Sequence, residues 1–200
     1  YFPAFSAEQK NTIKKILDSW GDISNINFIE VDENSSDTYG DIRFFQFDFE
    51  GMRNTIDPHG YLFDAGIAGF SYPPLNHNYI DSQIDSDVFL NTDLILGDGF
   101  YEHVISHEIG HSLGLMHPFD GFIVNNALDR TVDTVMSYDE DYFYPLDPMP
   151  IDIAAIGFLY GQSNPNLQDD DYYWSNYELN NYRFSITDAG GNDSIILDNW

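Results

Sequence analysis

The sequence predicts an α+β fold, because it contains both segments with helical spacing and segments typical of strands. Strand-like runs fall in the first half of the chain and again after residue 161, and three helical patterns lie within the first 161 residues. The chain has 200 residues, of which 42% are hydrophobic and 16% aromatic. This composition can fill the core of one domain with a small appendage.

Residues typical of helix ends indicate where the three predicted helices begin and end. Residues 6–9 (SAEQ) form a capping-box pattern ahead of a helix that ends near Gly21. A second helix is predicted over 98–113 and a third over 150–161, where a proline opens the pattern and a glycine closes it. The apolar stripe of the third helix is predicted at Ile153, Ile156 and Tyr160.

The strand-like runs are short and rich in aromatic and β-branched residues. Residues 65–72 contain small residues and stop at two prolines, which favours a strand at the edge of a sheet. The predicted strands are 26–31, 41–49, 65–72 and 87–91.

Composition changes after Gly161. Residues 162–175 read as a polar, acidic linker, and 182–198 read as two strand-like runs around an Asp/Gly turn. We therefore predict two parts, a main domain over residues 1–161 and a β-rich segment over residues 162–200.

The charge is strongly acidic, with 34 acidic residues against 7 basic ones and a net charge of −27. Nucleic acid and anionic membrane surfaces are excluded as partners, because both require basic patches. No run approaches the ~18 apolar residues that a membrane span needs. The acidity fits either solubility outside a cell or a supply of carboxylates for Ca²⁺. With no cysteine, any metal site must use histidine, carboxylate, tyrosine or carbonyl ligands.

The segment HEIGHSLGLMHP, residues 107–118, predicts a metal site. His107 and His111 are four positions apart and share one face of the second helix. Glu108 lies roughly 100° further round, where it can act as a general base on a metal-bound water. Gly114 can turn the chain sharply and bring His117 back to the same ion. Three histidines with one open position are typical of catalytic zinc. The alternative is a helix whose histidines are structural or at the surface.

The same segment matches HExxHxxGxxH, the signature of the metzincin metalloproteases, and resembles it at all five fixed positions. Met136 and Tyr138 in TVMSYDE resemble the family's Met-turn. Together with FSAEQ, PIDIAAIGFLYG and DAGGND, in that order, these segments make the chain similar to the serralysins. The resemblance implies a zincin-like protease domain, with a twisted, mostly parallel sheet and an edge strand over the cleft.

The resemblance also implies roles for individual residues. His107, His111 and His117 would bind zinc, and Glu108 would activate the zinc-bound water and pass its proton to the leaving amine. Tyr138 would ligate zinc at rest and then donate a hydrogen bond to the developing oxyanion, as a phenol can. Met136 would form the hydrophobic base of the site.

The segment DAGGND has the character of a calcium loop, with carboxylates at each end and glycines between them. The resemblance implies Ca²⁺ ligands at Asp188, Gly190 and Asp193, with Asp169 and Asp171 offering oxygens from an opposing loop. A plain hairpin turn is the alternative. Serralysins continue into glycine-rich repeats, of which these residues include at most the first element.

The resemblance therefore implies a secreted, extracellular zinc endopeptidase of bacterial type that also carries calcium. Extended proteins or peptides would bind along the edge strand 65–72, and a protein inhibitor is a further partner to expect. Two other functions are open on the sequence. One is an inactive binding module or calcium-dependent scaffold, which the presence of Glu108 disfavours. The other is an esterase or amidase that uses the same zinc chemistry.

Overall fold

The computed structural model describes residues 2–33, 39–51, 66–74, 85–120, 126–139, 144–163, 171–174, 192 and 194–197. In chain order, its main elements are α1 (Ala7–Asp22), β1 (Phe44–Phe47), β2 (Gly69–Ser71), β3 (Val88–Asn91), α2 (Phe100–Ser112), a 3-10 turn (Asn126–Leu128), α3 (Pro150–Tyr160), β4 (Asp171–Trp174) and β5 (Ser194–Leu197). The α+β class is confirmed.

The predicted capping box begins α1. The backbone N–H of Gln9 donates to the Ser6 hydroxyl at 3.1 Å, and the Ser6 N–H donates to the Gln9 side chain at 2.9 Å. These two bonds satisfy donors that the first turn of a helix otherwise leaves without partners. The buried side chains of α1 lie at Ile13, Ile16 and Trp20, which is a helical spacing.

The chain divides into two compact units. One contains residues 1–17 and 29–116, and the other contains residues 18–28 and 117–200. The first unit includes β1, β2, β3 and α2, and the second includes α3, β4 and β5. The boundary near residue 161 stays a prediction.

In the first unit, the strand order is β1-β3-β2. β1 pairs with β3 in parallel, and β2 pairs with β3 in antiparallel orientation. A mostly parallel sheet is therefore not confirmed, because one of the two described pairs is antiparallel. β2 lies at an edge of this sheet, at the position predicted for the edge strand 65–72.

The two faces of the three-stranded sheet differ. On one face the rings of Phe45, Phe89 and Phe70 form a row across the strands, with centroids 5.0 and 4.6 Å apart. On the other face Val88 and Leu90 are fully buried, and α2 packs on β2 and β3. The alternation along β3 is the period of two that a strand imposes on its side chains.

Three predictions about the elements were wrong, at least in part. Residues 26–31 form no strand, and Ile29, one of the β-branched residues that suggested one, is 73% exposed. Residues 171–174, predicted as linker, form β4, which pairs in parallel with β5. On α3 the buried residues are Asp152 and Ile156, whereas Tyr160 of the predicted stripe is 39% exposed.

Among the described residues, no helix combines the length and the apolar character needed to cross a bilayer.

Candidate metal centre

Helix α2 carries the first two histidines of the motif on one face. The rings of His107 and His111 lie 4.8 Å apart between centroids and almost perpendicular, at 86°. Ten of the helix's thirteen residues are buried, so α2 is an interior helix and its polar side chains need internal partners.

A glycine turn ends α2. Gly114 has a φ of 97°, a left-handed conformation that costs glycine little. The Gly114 N–H donates to the His111 carbonyl at 2.9 Å, and the Leu115 N–H donates to the Gly110 carbonyl at 2.9 Å. This pair of bonds is a Schellman motif, which satisfies the last helical carbonyls as the chain turns away.

The same turn holds the ring of His111. Its Nδ1 lies 2.8 Å from the Leu115 carbonyl oxygen. A carbonyl oxygen can accept but not donate, so the proton of the neutral ring must lie on Nδ1. This tautomer places the lone pair on Nε2, the form in which an imidazole binds a metal.

His117 lies in a tight turn of its own. The Asp120 N–H donates to the His117 carbonyl at 3.0 Å, and His117 Nδ1 lies 2.6 Å from Asp120 Oδ2. Phe119 stacks on the His117 ring with centroids 4.8 Å apart and planes at 6°. Pro118 occupies the second position of this turn, where its fixed φ is favourable.

The ring nitrogens of His107, His111 and His117 come within 4.8 Å of one another. Three ligands at 2.0–2.1 Å from a tetrahedral ion have nitrogens about 3.4 Å apart, so a small inward movement fits one zinc ion. The donor set is also that of a catalytic zinc site. His103, whose ring centroid lies 6.2 Å from that of His107, is outside this group.

Glu108 is a buried carboxylate next to the first histidine. It is 5% exposed, and its Oε2 has no hydrogen-bond partner within the described part of the chain. Burial raises the pKa of Glu108 to about 8. A buried carboxylate oxygen without a partner is costly in a purely structural role, which favours a functional one.

Strand β2 approaches Glu108 closely. A Cβ added at Gly69 would lie 3.0 Å from Glu108 Cγ and 3.1 Å from both Phe89 O and Val104 Cγ1. Glycine at position 69 therefore lets the edge strand lie directly against the Glu108 side chain, where a larger residue would push the strand away.

Tyr138 and Met136 occupy opposite environments. Met136 is 1% exposed, whereas Tyr138 is 63% exposed. The Tyr138 ring lies 4.6 Å from the ring of His117 and 5.2 Å from that of Phe119, between centroids. The structure thus brings Tyr138 to the third histidine. A position of Met136 beneath the metal stays a prediction.

Asp152, which the sequence reasoning missed, anchors the turn that contains Met136. Its carboxylate accepts from the Thr134 hydroxyl at 2.6 Å and from the Val135 and Met149 N–H groups at 2.8 Å each. The Thr134 hydroxyl oxygen in turn accepts from the Met136 N–H at 3.0 Å. The sequence does contain one sign of this role, because Asp152 is the single charged residue in the apolar start of α3.

Five residues are the predicted calcium ligands, and one of them, Asp171, lies within the described residues. Asp169, Asp188, Gly190 and Asp193 lie outside the described residues. Asp171 is the first residue of β4 and pairs with Ser194 of β5.

Comparison with known proteins agrees with the motif. The sequence profile of the matrixin family, Peptidase M10, matches residues 4–141. Serralysin of Proteus mirabilis is 32% identical over 96% of this chain, and serralysin of Photorhabdus laumondii is 31% identical over 97%. Serralysin G of Dickeya chrysanthemi is 30% identical over 97%.

The chain spans 44% of the length of each of these three relatives. The matrixin match covers more than half of the chain, and the serralysin matches cover nearly all of it. The resemblance that the sequence suggested is therefore confirmed: the chain belongs to the matrixin family, Peptidase M10, and is a serralysin-like metzincin.

Proposed function

We propose that the chain is the catalytic part of a secreted zinc endopeptidase that hydrolyses peptide bonds in extended protein substrates. The observation that carries the proposal is the cluster of three imidazole nitrogens within 4.8 Å. Metzincins use catalytic zinc, and His107, His111 and His117 are the ligands that would hold it. When bound, zinc supplies a Lewis acid that makes water a nucleophile near neutral pH and polarises a substrate carbonyl.

Glu108 is the general base in this proposal. It accepts a proton from the attacking water and delivers it to the nitrogen of the leaving amine, so one carboxylate serves both proton transfers. Its burial supports the role, because burial raises the pKa of Glu108 above that of a solvated carboxylate, and the ionised form of such a group is the stronger proton acceptor. Its contact with β2 places it beside the strand that would align the substrate.

The edge of β2 that faces away from β3 is the proposed substrate-binding edge. The carbonyl of Ala68 accepts from the Asn91 N–H at 2.8 Å, and the Tyr72 N–H donates to the Asp87 carbonyl at 3.3 Å, so both residues face β3. Because backbone groups alternate along a strand, those of Gly69 and Ser71 point to the opposite edge. No described strand pairs there. An extended peptide can add to this edge through backbone bonds, which gives broad sequence specificity.

Tyr138 is the proposed oxyanion donor, and in the resting enzyme a further zinc ligand. Its exposed phenol can move without disturbing the core, and its contact with His117 keeps it beside the histidine cluster. A phenol hydroxyl can donate to the charge that develops on the substrate carbonyl oxygen.

We also propose that the protein binds calcium and is exported, and that it consists of two parts, residues 1–161 and 162–200. Serralysins also bind calcium, and Asp188, Gly190 and Asp193 are the proposed ligands, with Asp169 and Asp171 opposite them. Export from a bacterial cell is consistent with a chain that has no cysteine and a net charge of −27. A protein inhibitor remains a proposed partner.

The test is digestion of an unfolded protein with and without a zinc chelator, together with the metal content of the chain. We expect about one zinc per chain and hydrolysis that the chelator stops. Glu108→Gln is the matched control, because it keeps the shape of the side chain and should retain zinc while losing at least about 10²-fold in activity. A chain without zinc, or a fully active Glu108→Gln variant, would contradict the proposal. Zinc binding without hydrolysis would favour a binding module instead.

A further inference from the structure

The turn of residues 117–120 makes three contacts with its own histidine. The backbone closes between the His117 carbonyl and the Asp120 N–H at 3.0 Å, the Asp120 carboxylate lies 2.6 Å from Nδ1, and Phe119 stacks on one ring face. All three partners come from the four residues His-Pro-Phe-Asp. Three of the contacts that orient the ring therefore come from its own turn, and the Tyr138 ring adds another at 4.6 Å between centroids.

We propose that Asp120 is a positioning residue for the third metal ligand. A carboxylate opposite Nδ1 accepts a hydrogen bond from the Nδ1–H of the neutral ring, so the lone pair lies on Nε2. The carboxylate also makes Nε2 more basic, and therefore a stronger ligand for a metal ion. His111 achieves the same tautomer through the Leu115 carbonyl, at 2.8 Å. The two histidines thus have different acceptors, a neutral carbonyl and an anionic carboxylate.

The exposure of Asp120 distinguishes a role in metal binding from a role in the stability of the fold. The Asp120 side chain is 47% exposed and that of His117 is 17% exposed. A hydrogen-bonded pair this accessible contributes little to the stability of a fold, because water competes for both partners. Its effect should instead appear in metal affinity, where the loss of such an outer partner typically costs 10–100-fold.

The inference rests on the proposed zinc site, and zinc titration of the metal-free full chain tests both. Three variants are compared with the parent: Asp120→Ala, which removes the acceptor; Asp120→Asn, which keeps an uncharged one; and Asp18→Asn, which removes one negative charge from an exposed position on α1. We expect zinc affinity to fall about 10–100-fold in Asp120→Ala, to fall less in Asp120→Asn, and to stay at the parent value in Asp18→Asn.

Two further measurements make the result specific. Unfolding of the metal-free proteins in urea should be the same for all four, as expected for an exposed pair. Nitrogen NMR of His117 should show the Nδ1–H tautomer in the parent and a mixture of tautomers in Asp120→Ala. An affinity of Asp120→Ala equal to that of Asp18→Asn, or an unchanged tautomer, would overturn the inference about Asp120 alone. A parent chain that binds no zinc would instead overturn the proposed function.

Discussion

The buried carboxylate of Asp152 provides a prediction in which two opposing effects can be weighed. Three donors surround it at 2.6–2.8 Å, and such bonds favour the charged form. Burial favours the neutral form, and Asp152 is only 1% exposed. Burial is the larger effect, and it raises the pKa of Asp152 from 3.8 to about 6.

The size and sign of the effect on stability follow from this pKa. Because the pKa is higher in the folded state, Asp152 contributes stability that is fully present below 3.8 and is lost as the pH rises through about 6. The complete loss is about 3 kcal/mol, since each pKa unit corresponds to about 1.4 kcal/mol. Between pH 5 and pH 8 the loss amounts to about 1.4 kcal/mol.

Urea unfolding of the parent and of Asp152→Asn, both metal-free, measures this contribution. Asparagine cannot ionise, and its carbonyl oxygen can still accept from the N–H groups of Val135 and Met149. Other titrating groups cancel in the difference between the two proteins. The free energy of unfolding of the parent, relative to the variant, should fall by about 1.4 kcal/mol between pH 5 and pH 8. A difference that is flat or rises with pH would refute the reasoning, because the hydrogen bonds would then outweigh burial.

Three further variants test other parts of the structure. Gly114→Ala forces an alanine into φ 97° and should lower the free energy of unfolding by about 1–2 kcal/mol and weaken zinc binding; equal urea and zinc titrations would contradict this. Arg43→Met removes the guanidinium that bonds to Asp87 at 2.6 and 3.0 Å but keeps the bond from the backbone N–H of residue 43, and it should cost about 1.5–3 kcal/mol in urea unfolding; a loss below about 1 kcal/mol would argue against the pair. Tyr138→Phe should change unfolding by less than about 0.5 kcal/mol but lower kcat/KM for peptide hydrolysis on the order of 10²-fold, and full activity would exclude the oxyanion role.

The parts of the site that the sequence predicts are those built from neighbouring residues. His107, His111 and Gly114 lie within two turns of one helix and its end, where spacing alone fixes which groups share a face. The capping box at Ser6 is equally local, and its two hydrogen bonds confirm it. Each of these features depends on residues no more than a few positions apart.

The parts that the sequence does not predict depend on distant residues. Asp152 meets Thr134, and Gly69 meets Glu108, only after the chain has folded, and no spacing rule joins them. Residues 26–31 have the β-branched and aromatic composition of a strand, yet a strand also needs a partner and a face to bury. Residues 171–174 read as linker because their partner, β5, lies far along the chain, at residues 194–197.

The end of α2 has a consequence for any attempt to move this site into another protein. The bend at Gly114 that satisfies the last helical carbonyls also supplies the carbonyl of Leu115 to His111. Residues 110–115 thus both end the helix and fix the tautomer of His111. A graft that copied only the histidines and the glutamate onto an uninterrupted helix would leave His111 free to present the wrong nitrogen. The transferable unit is the bend together with the ligands.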